Sequence, residues 1–284
     1  MVIRGKWNNR EYKLIKLIGS GNFGKVYKAV DTRGNIVAIK ISKDILSITN
    51  EYNAMIKLKE MPFVPKVYDF DDWERDDEIQ HFIVMDYIYG ENLKDIGIKR
   101  ELNSKIIFKL GQVLINILRQ INEIGYKYTD IKLENIIVDK KGVVYFVDFG
   151  SLVEKSKPTK EYTPPYNINS WNVRFKYNYE MEILFGITMI MVSMIGKKEF
   201  NPLIYNLEEV IDRIHDFPLK EKEKQFLKNG LNGKFKTFAE YKNFLSLLVK
   251  DKENYNNLSK IDYIFIASMV SFVFVIIIGI KSIL

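Results

Sequence analysis

The alternation of apolar and polar residues predicts β-strands near the start of the chain. It is clear in IKLIGSGNFGKVYKAV at 15–30 and in IVAIK, which ends at Lys40. Glycines interrupt the first stretch at 19, 21 and 24, and a turn is predicted at 32–35. Together these features predict three antiparallel strands with a glycine loop in the first hairpin.

A different pattern, an uninterrupted apolar run, occupies residues 263–280. Its 18 residues carry no charge and show no polar stripe. As a helix the run would span roughly 27 Å, close to the hydrocarbon core of a bilayer at about 30 Å. We therefore expect a transmembrane helix at 263–280 and a short tail at 281–284. A buried terminal core helix is the alternative.

Charges beside the apolar run predict its orientation. One lysine follows it at 281, and three precede it at 250, 252 and 260, so the positive-inside rule places the preceding part of the chain in the cytoplasm. The N-terminal MVIRGKWNNR lacks the apolar core of a secretory signal peptide. We expect a single-pass cell-membrane protein with a polar juxtamembrane linker at 251–262.

Composition excludes several kinds of site. The chain has no cysteine, which excludes disulfides, thiol nucleophiles and thiolate metal sites. Two histidines argue against a histidine-rich metal site or a Ser-His-Asp hydrolase. The net charge of +7 lies before residue 251 and is uneven. Residues 69–78 carry a local −6, which we expect in an exposed connection, and residues 216–250 carry +4.

The glycine loop indicates phosphate binding. The G-x-G-x-x-G at 19–24 would let backbone N–H groups approach phosphate oxygens without hindrance from Cβ atoms. A strand follows the loop rather than a helix, which argues against a dinucleotide-binding fold. Lys40 ends a V-A-I-K strand and would place a cation over the same loop.

A second cluster carries the residue types that phosphoryl transfer needs. The segment YKYTDIKLENIIV contains Asp130, Lys132 and Asn135, and a predicted β-hairpin separates it from a D-F-G that begins at Asp148. Asp130 can accept a proton from a substrate hydroxyl, and Lys132 can neutralise charge on a γ-phosphate. Asn135 and Asp148 offer the oxygen ligands that Mg²⁺ prefers.

In this order and spacing the motifs resemble those of the Hanks-type, or eukaryotic-type, protein kinases. The resemblance covers about 12–250, after an N-terminal extension at 1–11. It implies an α+β bilobal protein-kinase fold with ATP bound between the lobes. An antiparallel β N-lobe with helix C would extend to about residue 87, and a mainly α C-lobe would occupy 88–250.

The resemblance also implies roles for individual residues. Lys40, Glu51, Asp130 and Lys132 would be the catalytic set, with Glu51 on helix C paired to Lys40. Glu60 is a rival for that pairing, although the nearby Pro62 places it at the helix end. Asn135 and Asp148 would bind Mg²⁺ or Mn²⁺. ATP would contact Ile18, Gly19, Ser20, Gly21, Asn22, Phe23, Gly24, Val26, Ala38, Lys40, Met85, Asp86 and Ile88, with Met85 as gatekeeper and Asp86 to Ile88 as the backbone that reads adenine.

Several segments resemble a particular bacterial branch of that family. GKWNNREYKLIKLIGSG, SITNE and FDDWER are similar to the short membrane-anchored kinases of spore-forming Firmicutes. This resemblance implies a serine/threonine kinase with a role in sporulation signalling. Three departures stand out: Thr129 replaces the arginine before the catalytic aspartate, A-P-E is absent, and Glu182 replaces a helix F aspartate. Because Thr129 cannot clamp a phosphate as arginine does, we expect activity without phosphorylation of the activation loop.

Other functions fit parts of the sequence. A membrane-tethered pseudokinase that only binds nucleotide is one alternative, and a small-molecule kinase on the same fold is another. Lys132 favours a protein Ser/Thr hydroxyl as substrate over a small molecule. The basic surface could contact DNA or anionic lipid, or be a solvated lysine-rich face. Self-association would accompany autophosphorylation, for which the candidate sites are Ser151, Ser156, Thr159 and Thr163.

Overall fold

A computed structural model describes residues 1–21, 23–75, 78–158 and 162–250. The chain forms two compact units. The first contains Met1–Gly90 and Tyr145–Leu152, and the second contains Glu91–Val144 and continues from Val153. The N-terminal stretch of the first unit ends at Gly90, close to the expected boundary near residue 87, and the unit also includes the D-F-G segment. Part of the reason is the Phe146 N–H, which donates to the Phe63 carbonyl at 2.9 Å.

Strands dominate the first unit and helices the second. The strands are β1 Val2–Arg4, β2 Glu11–Gly21, β3 Gly24–Asp31, β4 Ile36–Ser42, β5 Val67–Arg75, β6 Glu78–Asp86, β7 Gly90–Asn92, β8 Tyr126–Tyr128, β9 Ile136–Asp139, β10 Val144–Phe146 and β11 Leu152–Glu154. The α-helices are α1 Ile45–Lys57, α2 Leu93–Lys99, α3 Ser104–Glu123, α4 Tyr179–Ile195, α5 Leu207–Arg213, α6 Glu221–Leu231 and α7 Phe238–Lys250.

The first unit is built on a six-stranded sheet in the order β1-β2-β3-β4-β6-β5. Its pairs are antiparallel, and β2 and β3 meet at the glycine turn where Gly21 faces Gly24. The three predicted strands and the predicted turn at 32–35 are confirmed, and Gly34 in that turn adopts a φ of 85°. One face of the sheet buries an apolar cluster that includes Ile3, Ile39 and Phe82.

Residues 5–10, which we call the N-terminal strap, join the two edges of this sheet. The strap leaves edge strand β1 and reaches β5 at the other edge, where the Lys6 N–H donates to the Asp72 carbonyl at 2.8 Å. The buried Asp71 carboxylate accepts from the N–H groups of Trp7 and Asn8. Gly5 is required there, because a Cβ would lie 2.3 Å from Asp71 Oδ2.

The described residues of the acidic stretch, 69–75 and 78, therefore lie in strands, and the expectation of an exposed connection was wrong for them. Residues 67–75 are strand β5, and β6 begins at residue 78. The acids bind donors on the strap and on neighbouring strands. Asp69 accepts from the Tyr12 hydroxyl at 2.7 Å, and Asp72 contacts His81 Nδ1 at 2.6 Å. These carboxylates therefore hold the N-terminal strap and strands β2 and β6 against β5.

Two long helices form the core of the second unit. Helix α3 is amphipathic and begins after Asn103, whose side chain accepts from the Lys105 N–H. Helix α4 begins after the N-cap Asn178 and is buried along almost its whole length. Its Gly186 allows a close approach to Ile131 and Tyr166, because a Cβ there would lie 2.8 Å from Ile131 Cγ2 and 3.0 Å from the Tyr166 carbonyl.

The predicted linker at 251–262, transmembrane helix at 263–280 and tail at 281–284 lie outside the described residues. Among the helices of the described ranges up to residue 250, none is long and apolar enough to cross a bilayer.

Candidate active site

A buried ion pair lies beside the glycine hairpin in the first unit. Lys40 is on β4, and its ammonium group donates to the Glu51 carboxylate and lies 3.7 Å from Asp148 Oδ1. The Lys40 side chain is 8% exposed and that of Glu51 is 1% exposed. Glu51 lies on α1, which the Asp44 side chain caps, and the helix ends at Lys57 before the exposed Glu60. The predicted partner of Lys40 is thus Glu51 in the structure, rather than Glu60.

Burial and charge oppose each other in this pair. Burial raises the pKa of Glu51 to about 7, although the Lys40 ammonium and the Phe149 N–H counteract part of the rise. Burial alone would lower the pKa of Lys40, but the Glu51 and Asp148 carboxylates raise it above its ordinary value. Lys40 therefore stays protonated at neutral pH, and its cation is held close to Asp148.

The glycines of the loop serve different purposes. A Cβ on Gly21 would meet no atom within 4 Å, and one on Gly19 would make only ordinary contacts with Val26. Gly24 has a φ of 137°, and a Cβ there would lie 2.3 Å from the Ile41 carbonyl oxygen. Gly24 is therefore required by the strand packing, whereas the space beside Gly19 and Gly21 is open. Ser20 and Phe23 are exposed, and Asn22 lies outside the described residues.

Apolar residues predicted to contact adenine come together on the sheet. Ala38 and Met85 are cross-strand partners on β4 and β6, and both are buried. Val26 is the cross-strand partner of Lys40, while Ile18 is 45% exposed.

Asp86 and Ile88, whose backbone is predicted to read adenine, make different contacts in the structure. The Asp86 carboxylate accepts from the Lys66 N–H at 2.9 Å and from the Tyr68 hydroxyl at 2.5 Å, so its side chain is committed to the fold. Among the described residues, no group accepts a hydrogen bond from the Ile88 N–H. That N–H can therefore serve as a donor in the backbone segment predicted to read adenine.

Asp130 in the second unit is surrounded by hydrogen-bond donors. Lys132 Nζ lies 2.6 Å from Asp130 Oδ2, and the Asn135 amide donates to the same oxygen at 3.2 Å and to the Asp130 carbonyl at 3.1 Å. A 3₁₀ turn at Leu133–Asn135 brings Asn135 back to the aspartate. The structure thus brings together the three residues that the sequence placed in one loop. These bonds fix the orientation of the Asp130 carboxylate.

Residues 163–166, which we call the substrate loop, supply a further donor to Asp130. The Thr163 hydroxyl donates to Asp130 Oδ1 at 2.6 Å. This bond makes Thr163 a poor candidate for autophosphorylation, and Ser151 is only 2% exposed. Ser156 is exposed, and Thr159 lies outside the described residues.

Glu182 lies in the first turn of α4, where the sequence departs from the family pattern. Burial raises its pKa above the ordinary value, while the positive charge of Lys127 and a hydrogen bond with Asn169 act in the opposite direction.

The two predicted metal ligands lie in different units and fit a magnesium ion individually. Asn135 uses its amide nitrogen for both bonds to Asp130, which directs the side-chain oxygen elsewhere. Asp148 is a carboxylate with 34% of its side chain exposed. No cluster of three or more His, Asp or Glu side chains suited to a metal occurs among the residues the structure covers. Few protein ligands are typical of an ion that takes most of its ligands from phosphates and water.

Comparison with known proteins gives the same family as the motifs. The family model described as the protein kinase domain matches residues 12–253. The serine/threonine-protein kinase YabT of Bacillus subtilis is 31% identical over 247 residues, which cover 84% of this chain and 72% of that protein. The probable serine/threonine-protein kinase CPE1738 of Clostridium perfringens is 32% identical over 152 residues, covering 51% of this chain and 22% of that protein.

Proposed function

The chain belongs to the protein kinase family, and on this premise we propose that it transfers the γ-phosphate of Mg-ATP to serine and threonine hydroxyls of proteins. The observation that carries the proposal is the set of bonds at Asp130. Its two carboxylate oxygens accept from a lysine and from a threonine hydroxyl, each at 2.6 Å. This arrangement fixes the position of a carboxylate that a substrate hydroxyl could approach.

The residues of this chain would share the work of phosphoryl transfer. Asp130 orients the attacking hydroxyl and receives its proton, while Lys132 lies beside that carboxylate and neutralises charge on the transferred group. Lys40, held by Glu51, supplies a fixed cation for the phosphates. Asn135 and Asp148 would hold the Mg²⁺ ion, which supplies charge neutralisation when bound. Mn²⁺ has the same ligand preference for oxygen and could replace it.

ATP recognition would use the first unit. Backbone N–H groups near Gly19 and Gly21 are suited to phosphate oxygens because no Cβ crowds them. Ala38 and Met85 offer an apolar surface for the adenine ring, and the Ile88 N–H offers a backbone donor.

We further propose that residues 263–280 anchor the kinase in the cell membrane with the catalytic domain in the cytoplasm. The uncharged 18-residue run and the lysines that precede it support this proposal. The basic segment 216–250 would then contact anionic lipid, and DNA is a competing polyanion. A sporulation role and self-association for autophosphorylation are parts of the proposal that rest on the resemblance to spore-former kinases.

Transfer of ³²P from γ-labelled ATP to a generic protein substrate, followed by phosphoamino-acid analysis, tests the function. The full chain should produce phosphoserine or phosphothreonine, and Asp130→Asn should not. Nucleotide binding without transfer would instead indicate a pseudokinase. Transfer only to small molecules would indicate a small-molecule kinase. Extraction of membranes with carbonate, together with protease accessibility in inverted vesicles, tests the anchor and its orientation.

A further inference from the structure

Lys94 joins two acidic residues in the second unit that the sequence did not connect. It lies on α2, which Asn92 caps by accepting from the Asp95 N–H. Lys94 Nζ lies 2.6 Å from Glu134 Oε1 and 2.6 Å from Glu199 Oε2. The two carboxylate oxygens are therefore within twice that distance of each other. Without the ammonium group between them, they would repel.

Each of these acids is linked, by sequence or by a hydrogen bond, to a segment that contacts Asp130. Glu134 precedes Asn135 in the 3₁₀ turn, and Asn135 donates to Asp130. Glu199 accepts from the hydroxyl of the buried Tyr166 at 2.8 Å.

The substrate loop closes the connection. Tyr166 ends the short 3₁₀ turn that follows Thr163, and the Tyr166 N–H donates to the Thr163 carbonyl at 3.0 Å. The Thr163 hydroxyl in turn donates to Asp130. Two routes from Lys94 thus converge on one carboxylate. We call this set the Lys94 ring: Lys94, Glu134, Asn135, Asp130, Thr163, Tyr166 and Glu199.

We infer that Lys94 is a positioning residue that holds the substrate loop on Asp130 through the Lys94 ring. This inference rests on the proposed kinase function. Thr129 lacks the guanidinium with which an arginine could bind a phosphorylated residue of the loop. The Lys94 ammonium would instead hold the loop in place as a fixed cation within the chain. The burial of Tyr166 and its contact with Glu199 raise the tyrosine pKa, so its hydroxyl remains a donor over the working pH range.

Steady-state kinetics of the full chain, after phosphatase treatment, test this inference. Lys94→Met keeps the length of the side chain and removes the charge. We expect kcat to fall about tenfold with the KM for ATP within about twofold, because the loop is misplaced while the nucleotide contacts are kept. Lys94→Arg should retain most of the activity. Lys99→Met is the control on the same helix, since Lys99 is 73% exposed and pairs only with Asp95 among the described residues.

Coupling within the ring gives a second criterion. Tyr166→Phe should lower kcat alone, but should add little to Lys94→Met, because both variants break the same connection. If Lys94→Met does not fold, Glu199→Gln tests the same connection and keeps an acceptor at that position. A kcat within about twofold of the unmodified chain for Lys94→Met, or fully multiplicative losses in the double variant, would overturn the inference.

Hydrogen exchange gives a readout that does not depend on activity. Amides at 163–167 should exchange faster in Lys94→Met than in the unmodified chain and in Lys99→Met. Unchanged exchange in Lys94→Met would overturn the ring. Faster exchange in a chain that transfers no phosphate would keep the ring and overturn the proposed function.

Discussion

The two charged clusters of this protein are built on opposite principles. The Lys40–Glu51 pair in the first unit, which we call the dry cluster, is almost completely buried. Among the described ion pairs, Asp148 is the one other charge close to the Lys40 ammonium. Asp130 in the second unit is surrounded by an ammonium, an amide and a hydroxyl, and its side chain is 11% exposed. A buried pair depends on each partner for its stability, whereas a carboxylate with several donors tolerates the loss of one. Substitutions in the two clusters should therefore differ in what they damage.

The largest effect on catalysis is expected at Asp130. Asp130→Asn removes the proton acceptor and should lower kcat by about 10³-fold. The amide oxygen can still accept from Thr163, but the amide NH2 group would then face the donors of Lys132 and Asn135. The free energy of unfolding should therefore fall by about 1–2 kcal/mol. Kinase assays and urea unfolding measure the two effects. Asp212→Asn on the exposed face of α5 is the control for loss of one acid. A loss of several kcal/mol in Asp130→Asn would remove the contrast between the clusters.

Lys40→Met should damage both activity and stability. Removal of the cation should lower kcat/KM by about 10²-fold. It also leaves the buried Glu51 without its counter-charge, which should cost about 3 kcal/mol at pH 8. The cost should shrink at pH 6, because Glu51 then takes up a proton. Lys43→Met is the matched control, since Lys43 pairs with Glu78 at the exposed surface. Equal stability of both variants at pH 8 would contradict the dry-pair description.

The glycine loop shows whether a residue beside the dry cluster serves the fold or the ligand. Gly24→Ala should destabilise the protein by about 2 kcal/mol, because a Cβ meets the Ile41 carbonyl and the backbone conformation is unfavourable for alanine. Gly21→Ala places its Cβ in open space and should change thermal unfolding far less. Similar shifts in melting temperature for both variants would show that the loop is not divided in this way.

The smallest expected effect is a pH dependence that belongs to the dry cluster. Glu51 has a pKa of about 7 in the folded protein and 4.5 as its ordinary value. Pairing with Lys40 needs the ionised form, so kcat/KM should fall up to tenfold per pH unit below about 7. Stability should move in the opposite direction. Because the folded-state pKa is the higher one, the contribution of Glu51 is complete below about pH 4.5 and is lost as the pH rises through about 7.

A pH–rate profile of Glu51→Gln beside that of the unmodified chain tests the predicted fall of kcat/KM below about pH 7, which is the acid limb of the profile. The variant should be less active at pH 8, and its acid limb near pH 7 should disappear. An unchanged limb in the variant would assign the titration to another group.

Much of the catalytic geometry could be predicted from the sequence, because short motifs fix local spacing. The three residues Asp130, Lys132 and Asn135 lie within a span of five residue steps in the chain, and the structure brings them together. The Lys40 and Glu51 pair was also predictable, since the two residues lie on consecutive elements, β4 and α1.

Contacts between distant segments were not predictable. Lys94, Glu134 and Glu199 come from three segments that only the packing of the second unit brings together. Lys94 and Glu199 belong to no motif, and Glu134 occupies a variable position within one. The acids at 69–78 misled the prediction for a related reason. Charge on a strand usually indicates a solvated face, but here the carboxylates bind the N–H groups of a segment more than sixty residues earlier.

The N-terminal strap determines where this domain can be joined to another protein without damage to its fold. The family match begins at residue 12, yet the fully buried Ile3 and the strap partners of Asp71 come before it. A gene fusion that joined the kinase at the family boundary would open the sheet along one edge and leave a buried carboxylate with fewer donors. The structural domain is therefore longer than the region that the family model matches, because residues 1–11 belong to its sheet and strap.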